Sequence, residues 1–130
     1  MRKFAAFFCF VLLALAGCSS KVTGALQVDG ASFAVAQCRS GQAFGFNGIE
    51  LTDGAGRRLR LLANPDGTCA AALFKGDAAT GDRLGLCGVL EMRAQSSRIN
   101  SINNVMGTAK LGCEAVGHKV AGSVEFENCH

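Results

Sequence analysis

From Val22 onward, apolar residues recur at every second position, and glycine-containing turns break the alternation at short intervals. Successive side chains of an extended strand point to opposite faces, so this period predicts antiparallel β-structure with one wet and one dry face. No stretch keeps an i, i+3, i+4 apolar spacing over three turns, which argues against a helical domain. In a β-hairpin the turn fixes the register, and a one-residue slip would exchange the two faces. Each candidate turn therefore makes a checkable statement about which residues are neighbours.

Four hairpins pass that check. Asp29-Gly30 is a strong two-residue turn. It places Val28 opposite Ala31, Leu26 opposite Phe33 and Gly24 opposite Val35, with Gln27 and Ser32 on the wet face. The loop around Asp53-Gly54-Ala55-Gly56 brings Leu51 opposite Leu59 and Ile49 opposite Leu61, with Arg58 and Arg60 pointing away. Asn64-Pro65-Asp66-Gly67 suits a type I turn followed by a glycine bulge, setting Ala63 against Cys69, Leu61 against Ala71 and Leu59 against Leu73. A last turn at Val116-Gly117 pairs Glu114 with Lys119 and sets Cys113, Leu111 and Ala109 against Val120, Gly122 and Val124. Two independent turns thus agree that Leu59, Leu61 and Ala63 face inward, and agreement between levels is evidence for a fold. Leu59, Leu61, Leu73 and Phe33 are expected in the core, with Arg58, Arg60 and Gln27 exposed.

Residues 84–93 read as a further strand, while 75–83 and the Ser- and Asn-rich 95–104 read as loops, with Ile99 and Ile102 as tethers in the second. The chain has 130 residues, of which 49% are hydrophobic and 18% charged, enough apolar surface for one core and not two. Seventeen glycines with a single proline suggest many turns. The expected architecture is all-β, an antiparallel β-sandwich of seven or eight short strands, with a partly open β-barrel as the alternative.

The first residues read differently. Arg2 and Lys3 precede an unbroken apolar run over residues 4–16, too short for the ~20 residues that a membrane-spanning helix needs. Positive start, short apolar stretch and small residues have the layout of a secretory signal peptide. Leu15-Ala16-Gly17-Cys18 resembles the lipobox of bacterial lipoproteins. The resemblance implies cleavage before Cys18, a diacylglyceryl group on its sulfur and acylation of its new amine. Ser19 rather than Asp follows the cysteine, which in that family implies an outer-membrane destination. Several acyl chains hold a protein firmly, whereas one gives marginal binding. The resulting division is 1–17 signal peptide, 18–21 lipidated cysteine and short linker, and 22–130 β-domain. Without the leader, 11 basic residues face 10 acidic ones, a net charge of +1 that gives no case for nucleic acid as a partner.

Cys9 leaves with the leader and Cys18 takes the lipid, so Cys38, Cys69, Cys87, Cys113 and Cys129 remain. Export makes disulfides the default. No C-x-x-C or C-x-x-H spacing supports a zinc or redox site. Cys69 alternates with Ala71 and Leu73 on the inward face and is expected unpaired. Cys113 faces Val120, which leaves Cys129 nine residues further along, roughly 30 Å of strand against a limit near 7 Å for bridged Cα atoms. If residues 89–93 pair back on residues 106–111, Cys87 meets Cys113 and Cys38 is left for Cys129. The second arrangement is Cys38 with Cys87 and Cys113 with Cys129.

Candidate chemistry is sparse. His118 and His130 are the only histidines; a shared metal is one reading and simple solvation the preferred one. Arg57, Arg58 and Arg60 suit an anionic partner or lipid headgroups, but their alternation with leucines favours an ordinary exposed strand face. Asp77, Thr80 and Asp82 lack the regular oxygen spacing of a calcium loop. Ser40-Gly41 and residues 100–104 are candidate recognition loops. No G-x-S-x-G, phosphate-binding glycine loop or H-E-x-x-H occurs. The expectation is a protein without catalytic residues, metal or cofactor. The stretch Cys38 to Gly41 and the ending Phe126-Glu127-Asn128-Cys129-His130 resemble small bacterial lipoproteins with a Gly-rich β-domain. That resemblance implies a membrane-anchored, non-enzymatic binding or structural module of the envelope. The disulfide-bonded β-domain behind a lipid anchor also resembles the small lipoprotein inhibitors of lysozyme, with Ser40-Gly41 and Phe44 as the residues concerned. A hydrolase whose site assembles only in space is the third reading.

Overall fold

The structure, a computed structural model, describes residues 19–130; the leader, the lipobox and Cys18 lie outside the described residues. The described residues form nine strands: β1 (Lys21–Val28), β2 (Ala31–Ser32), β3 (Val35–Ser40), β4 (Gly48–Asp53), β5 (Arg57–Ala63), β6 (Thr68–Lys75), β7 (Asp82–Ile99), β8 (Ile102–Ala115) and β9 (His118–Cys129). One turn of 3₁₀ helix, Gly41–Phe44, joins β3 to β4. All strands belong to one antiparallel sheet in the order β2-β1-β9-β8-β7-β6-β5-β4-β3. From β3 to β9 each strand pairs with its neighbour in sequence, and the one long-range pairing is β1 on β9, running from Lys21 opposite Glu127 to Val28 opposite Val120.

The expected all-β class is present, but two stacked sheets are not. A sandwich needs connections that carry the chain from one sheet to the other. Here short connections, several of them tight hairpin turns, join successive strands, so the chain meanders within one sheet. The sheet then curls into a half-barrel, the partly open alternative, and buries its concave face on itself. Leu26, Val28, Phe33, Ile49, Leu51, Leu59, Leu61, Leu73, Leu90, Val105, Val120 and Val124 fill that interior. At Gly122, φ is +124° and an added Cβ would run into the main chain of Ala25 on β1. A side chain there would force β9 away from β1, so the glycine serves a strand interior rather than a turn.

The two inner hairpin registers stand as expected. Leu51 pairs with Leu59, Ile49 with Leu61, Leu59 with Leu73, Leu61 with Ala71 and Ala63 with Cys69. Cys113, Leu111 and Ala109 meet Val120, Gly122 and Val124. The first hairpin holds for Val28 opposite Ala31 but opens after Phe33, whose amide donates to the Leu26 carbonyl at 2.9 Å. Gly24 pairs with Val124 rather than Val35, because β1 continues along β9 while the chain leaves to begin β3. Residues 95–104 are not a loop. The β7–β8 hairpin runs on to a tight turn at Asn100-Ser101, both in the left-handed region (φ 51° and 66°), with Ile99 opposite Ile102. The loop expected over residues 75–83 shortens to residues 76–81, its ends belonging to β6 and β7.

Disulfides join Cys38 to Cys129 and Cys87 to Cys113, and Cys69 is a buried free thiol. Residues 89–93 do pair on 106–110, which brings β7 and β8 together at Cys87 and Cys113. Cys38–Cys129 has a different task. It ties the sheet edge β3 to β9, across the seam where no strand ladder closes the barrel among the described residues. Two further links cross that seam. The Cys38 amide donates to Ser20 Oγ at 3.0 Å, and Arg39 Nε donates to the main-chain oxygen of His130 at 3.3 Å.

Candidate functional site

On β5 the period-two alternation sends Leu59 and Leu61 inward and Arg58 and Arg60 outward. The registers then name their outer-face neighbours. Glu50 on β4 lies opposite Arg60, and Phe74 on β6 lies opposite Arg58. Arg60 Nε donates to Glu50 Oε2 at 2.6 Å, and Arg58 Nη1 stands 3.5 Å from the same oxygen. Arg58 also donates to the carbonyls of Gly76 and Ala78, at 2.7 and 2.6 Å, fixing the 76–81 loop. Glu50 is only 4% exposed although it sits on the outer face. A buried carboxylate needs ionic and hydrogen-bonding partners, and the two arginines supply them.

Glu50 lies between Arg39 on β3 and Arg60 on β5, and the segment after β3 packs against its strand. Ser40 caps the 3₁₀ turn, its hydroxyl accepting from the Gln42 amide at 3.3 Å. A Cβ at Gly41 would collide with the Phe46 ring, so glycine lets that ring lie down on the sheet. Phe44 and Phe46 stack at 6.3 Å between centroids, with 20° between planes. The Arg60 guanidinium carbon lies 5.1 Å from the Phe44 centroid, 5.2 Å from Phe46 and 4.9 Å from Phe74. Arg39 lies over Phe44 at 4.8 Å and Arg58 over Phe74 at 4.9 Å. Each such contact contributes about 0.5–2 kcal/mol, more as water is excluded. Beside the stack runs a groove of about 630 Å³, lined among others by Phe44, Phe46, Arg60, Leu62, Phe74 and Arg83. Phe44 and Leu62 are 40% and 37% exposed, and the exposed Leu86 extends the apolar surface through the Leu62–Ala70–Leu86 row.

Arg58 and Arg60, expected to be exposed, are half-buried instead, because aromatic rings cover their stems and a carboxylate binds their heads. Ser40 is buried and spends its hydroxyl on the cap, so of the Ser40-Gly41-Phe44 group only the ring is presented outward. Glu50 and Phe74 were legible from the hairpin registers as neighbours of Arg60 and Arg58. Arg39, Phe46 and the seating of Phe44 depend on the 3₁₀ turn, which no alternation signals.

A second polar cluster sits at one rim. His118 Nδ1 is 2.8 Å from Asp29 Oδ2, and His118 Nε2 is 2.9 Å from Asp82 Oδ2. Both partners are carboxylates, so these contacts favour the protonated imidazole: its pKa is raised by the hydrogen bonds to Asp29 and Asp82, and that of Asp29 is lowered by its bond to His118. With both ring nitrogens engaged by carboxylates, neither is free to take a proton from a substrate. His118 is thus a clamp between turns rather than a solvated side chain. His130 follows the other end of β9, roughly 40 Å of strand away, and donates to or accepts from nothing that His118 touches. No group of three His, Cys, Asp or Glu side chains suited to a metal ion occurs among the described residues. Of the Asp77, Thr80 and Asp82 set, Asp82 alone is engaged, by His118. The polar residues near 100–104 bond to one another: Arg98 Nε donates to Asn103 Oδ1 at 2.7 Å, and Asn104 Nδ2 to Ser97 Oγ at 3.1 Å. Arg57 is held by Asp53 at 2.8 Å, with its guanidinium over Phe33.

No helix of the described residues is long and apolar enough to cross a membrane. No family model matches the chain, and no curated protein or solved structure shows significant similarity to it.

Proposed function

We propose that this chain is an envelope lipoprotein, anchored through acylated Cys18 in the outer membrane, whose β-domain is a non-enzymatic binding module. The observation that carries the reading is the arginine–phenylalanine face with its groove. Cationic and aromatic groups that a soluble domain could leave in water are organised here into one rigid, partly apolar surface. The lipobox-like Leu15-Ala16-Gly17-Cys18 supports the anchor. The two disulfides suit an exported domain. The engagement of both His118 nitrogens by carboxylates speaks against that histidine as a hydrolytic base, the third reading of the sequence. The burial of Ser40 removes one of the residues on which the inhibitor resemblance rested.

The anchor is tested by mass spectrometry of the N-terminal peptide of protein isolated from envelopes. An acylated Cys18 is expected, with release of Cys18→Ser protein from the membrane fraction. An unmodified N-terminus at another residue would overturn the reading.

A further inference from the structure

We infer that the arginine–phenylalanine face docks on the surface of the anionic bilayer that holds the anchor, an inference that rests on the proposed acylation of Cys18. The position of the tether makes the argument. Ser20 is pinned to the open edge of β3 by the Cys38 amide, so at most two residues, spanning about 7 Å, separate that edge from the lipid-bearing residue. Arg39 follows Cys38, its guanidinium lies over Phe44, and Phe44 shares Arg60 with Phe46 and Phe74. The domain therefore cannot stand away from the membrane, and this face begins where the tether ends.

Two outer faces adjoin the tether, and charge separates them. The face of β1, β9, β8 and β7 holds a groove of about 610 Å³ whose charged lining is Glu91, Glu125 and Glu127 against Lys21 and Arg93. With Lys110 on the same face, that side carries no excess of positive charge to attract anionic headgroups. The other side presents Arg39, Arg58, Arg60 and Arg83 against the single buried Glu50. It also exposes what a headgroup layer accepts and water does not, namely Phe44, Leu62 and Leu86. Cationic groups attract phosphate headgroups, and apolar side chains beside them enter the boundary of the acyl region. A small soluble anion would use the arginines but would leave the exposed leucines unexplained.

The test uses the processed, acylated protein carrying Phe44→Trp, since the chain has no tryptophan and the probe is unique. It is reconstituted in phosphatidylcholine vesicles with and without phosphatidylglycerol. Flotation of the vesicles reads the anchor, and quenching of the probe by lipids brominated on their acyl chains reads the docking. In phosphatidylglycerol vesicles the expected result is blue-shifted, quenched emission that declines as salt is raised. Arg83→Gln and Arg39→Gln should each weaken docking about fivefold, the effect of one basic side chain at an anionic surface. Protein that floats while its probe keeps a water-like, unquenched emission would overturn the docking and leave the anchor standing. The same holds if the probe is shielded only by an added envelope protein. Equal quenching in phosphatidylcholine alone, insensitive to salt, would overturn the electrostatic basis. Protein that does not float overturns the anchor and this orientation with it.

Discussion

Cys38–Cys129 should contribute more to stability than Cys87–Cys113, and the structure gives the difference. The two bridges close 91 and 26 residues. They are nested, since 87 and 113 lie between 38 and 129. With the inner bridge intact, removing the outer one releases an effective loop of 91 − 26, or 65 residues. Chain-entropy arithmetic then gives about 4.3 kcal/mol for the outer bridge and about 3.5 kcal/mol for the inner one. The native state adds to the gap. Cys87 and Cys113 sit on β7 and β8, which a long ladder holds together without them. Cys38 sits on the edge strand β3, whose other hydrogen bonds to the far side among the described residues are those through Ser20 and Arg39. The paired variants Cys38→Ala with Cys129→Ala, and Cys87→Ala with Cys113→Ala, should be compared by urea unfolding. Alanine is preferred to serine because a buried unpaired hydroxyl would add about 1–3 kcal/mol of its own. Both variants should show a steeper dependence on urea, since the unfolded chain exposes more surface without a crosslink. In hydrogen exchange the outer variant should lose protection first in β3 and at the start of β1. An outer variant at least as stable as the inner one, or one whose exchange rises uniformly, would refute the view that this bridge closes the seam.

Three further outcomes follow from individual side chains. Leu61, with no exposed surface at the centre of the concave face, should lose about 2–5 kcal/mol on replacement by alanine, and a urea-measured loss below about 0.5 kcal/mol would contradict the shared register of β4, β5 and β6. Burial raises the pKa of the Cys69 thiol, so native protein should resist alkylation there, and rapid labelling located by peptide mapping would show the site to be open. For His118 the raised pKa means that its stabilisation is complete below its unfolded value of 6.5 and fades as pH rises through the higher folded value. Asp29, lowered from 3.8, loses its share as pH falls through its folded value, so the stability gap between wild type and His118→Ala should be widest between these limits and should narrow at both alkaline and strongly acid pH.

The parts of the fold that could be read from sequence are those that a turn and its two flanking strands decide alone. Asp53 to Gly56 and Asn64 to Gly67 set registers that the structure keeps residue for residue, and in the structure the same registers set Glu50 beside Arg60 and Phe74 beside Arg58. The inference about cysteines succeeded for the same reason: Cys69 sits in such a register, and the pairing of β7 with β8 is another hairpin. Apart from Cys38–Cys129, reached by elimination, what failed were the strand and side-chain neighbours that join two distant segments. Gly24 was assigned to the nearer strand, because nothing local says that β1 prefers β9, about 100 residues away. His118 could not be placed between Asp29 and Asp82 until that same pairing carried the β1–β2 turn to the start of β9.

The choice between sandwich and half-barrel turned on glycines whose meaning alternation does not reveal. Gly24, Gly48, Gly88, Gly107 and Gly122 all lie inside strands, facing a neighbouring backbone. Gly24, Gly88, Gly107 and Gly122 fall within strands already expected from the alternation, but the alternation does not say that their missing side chains let neighbouring backbones close up. In the structure they let long strands coil without parting, so one sheet bends far enough to bury its own face. The same curl brings β3 back to β9, where Cys129 waits, and to Ser20, where the chain enters the fold. Closure of the core, the long-range disulfide and the direction in which the tether leaves are thus consequences of one bend. A variant that flattened it, such as Gly122→Val, should therefore disturb Cys38–Cys129 pairing during oxidative refolding as well as lowering stability. Correct bridges formed at the wild-type rate would show that the seam is brought together by something other than the coil of β9 on β1.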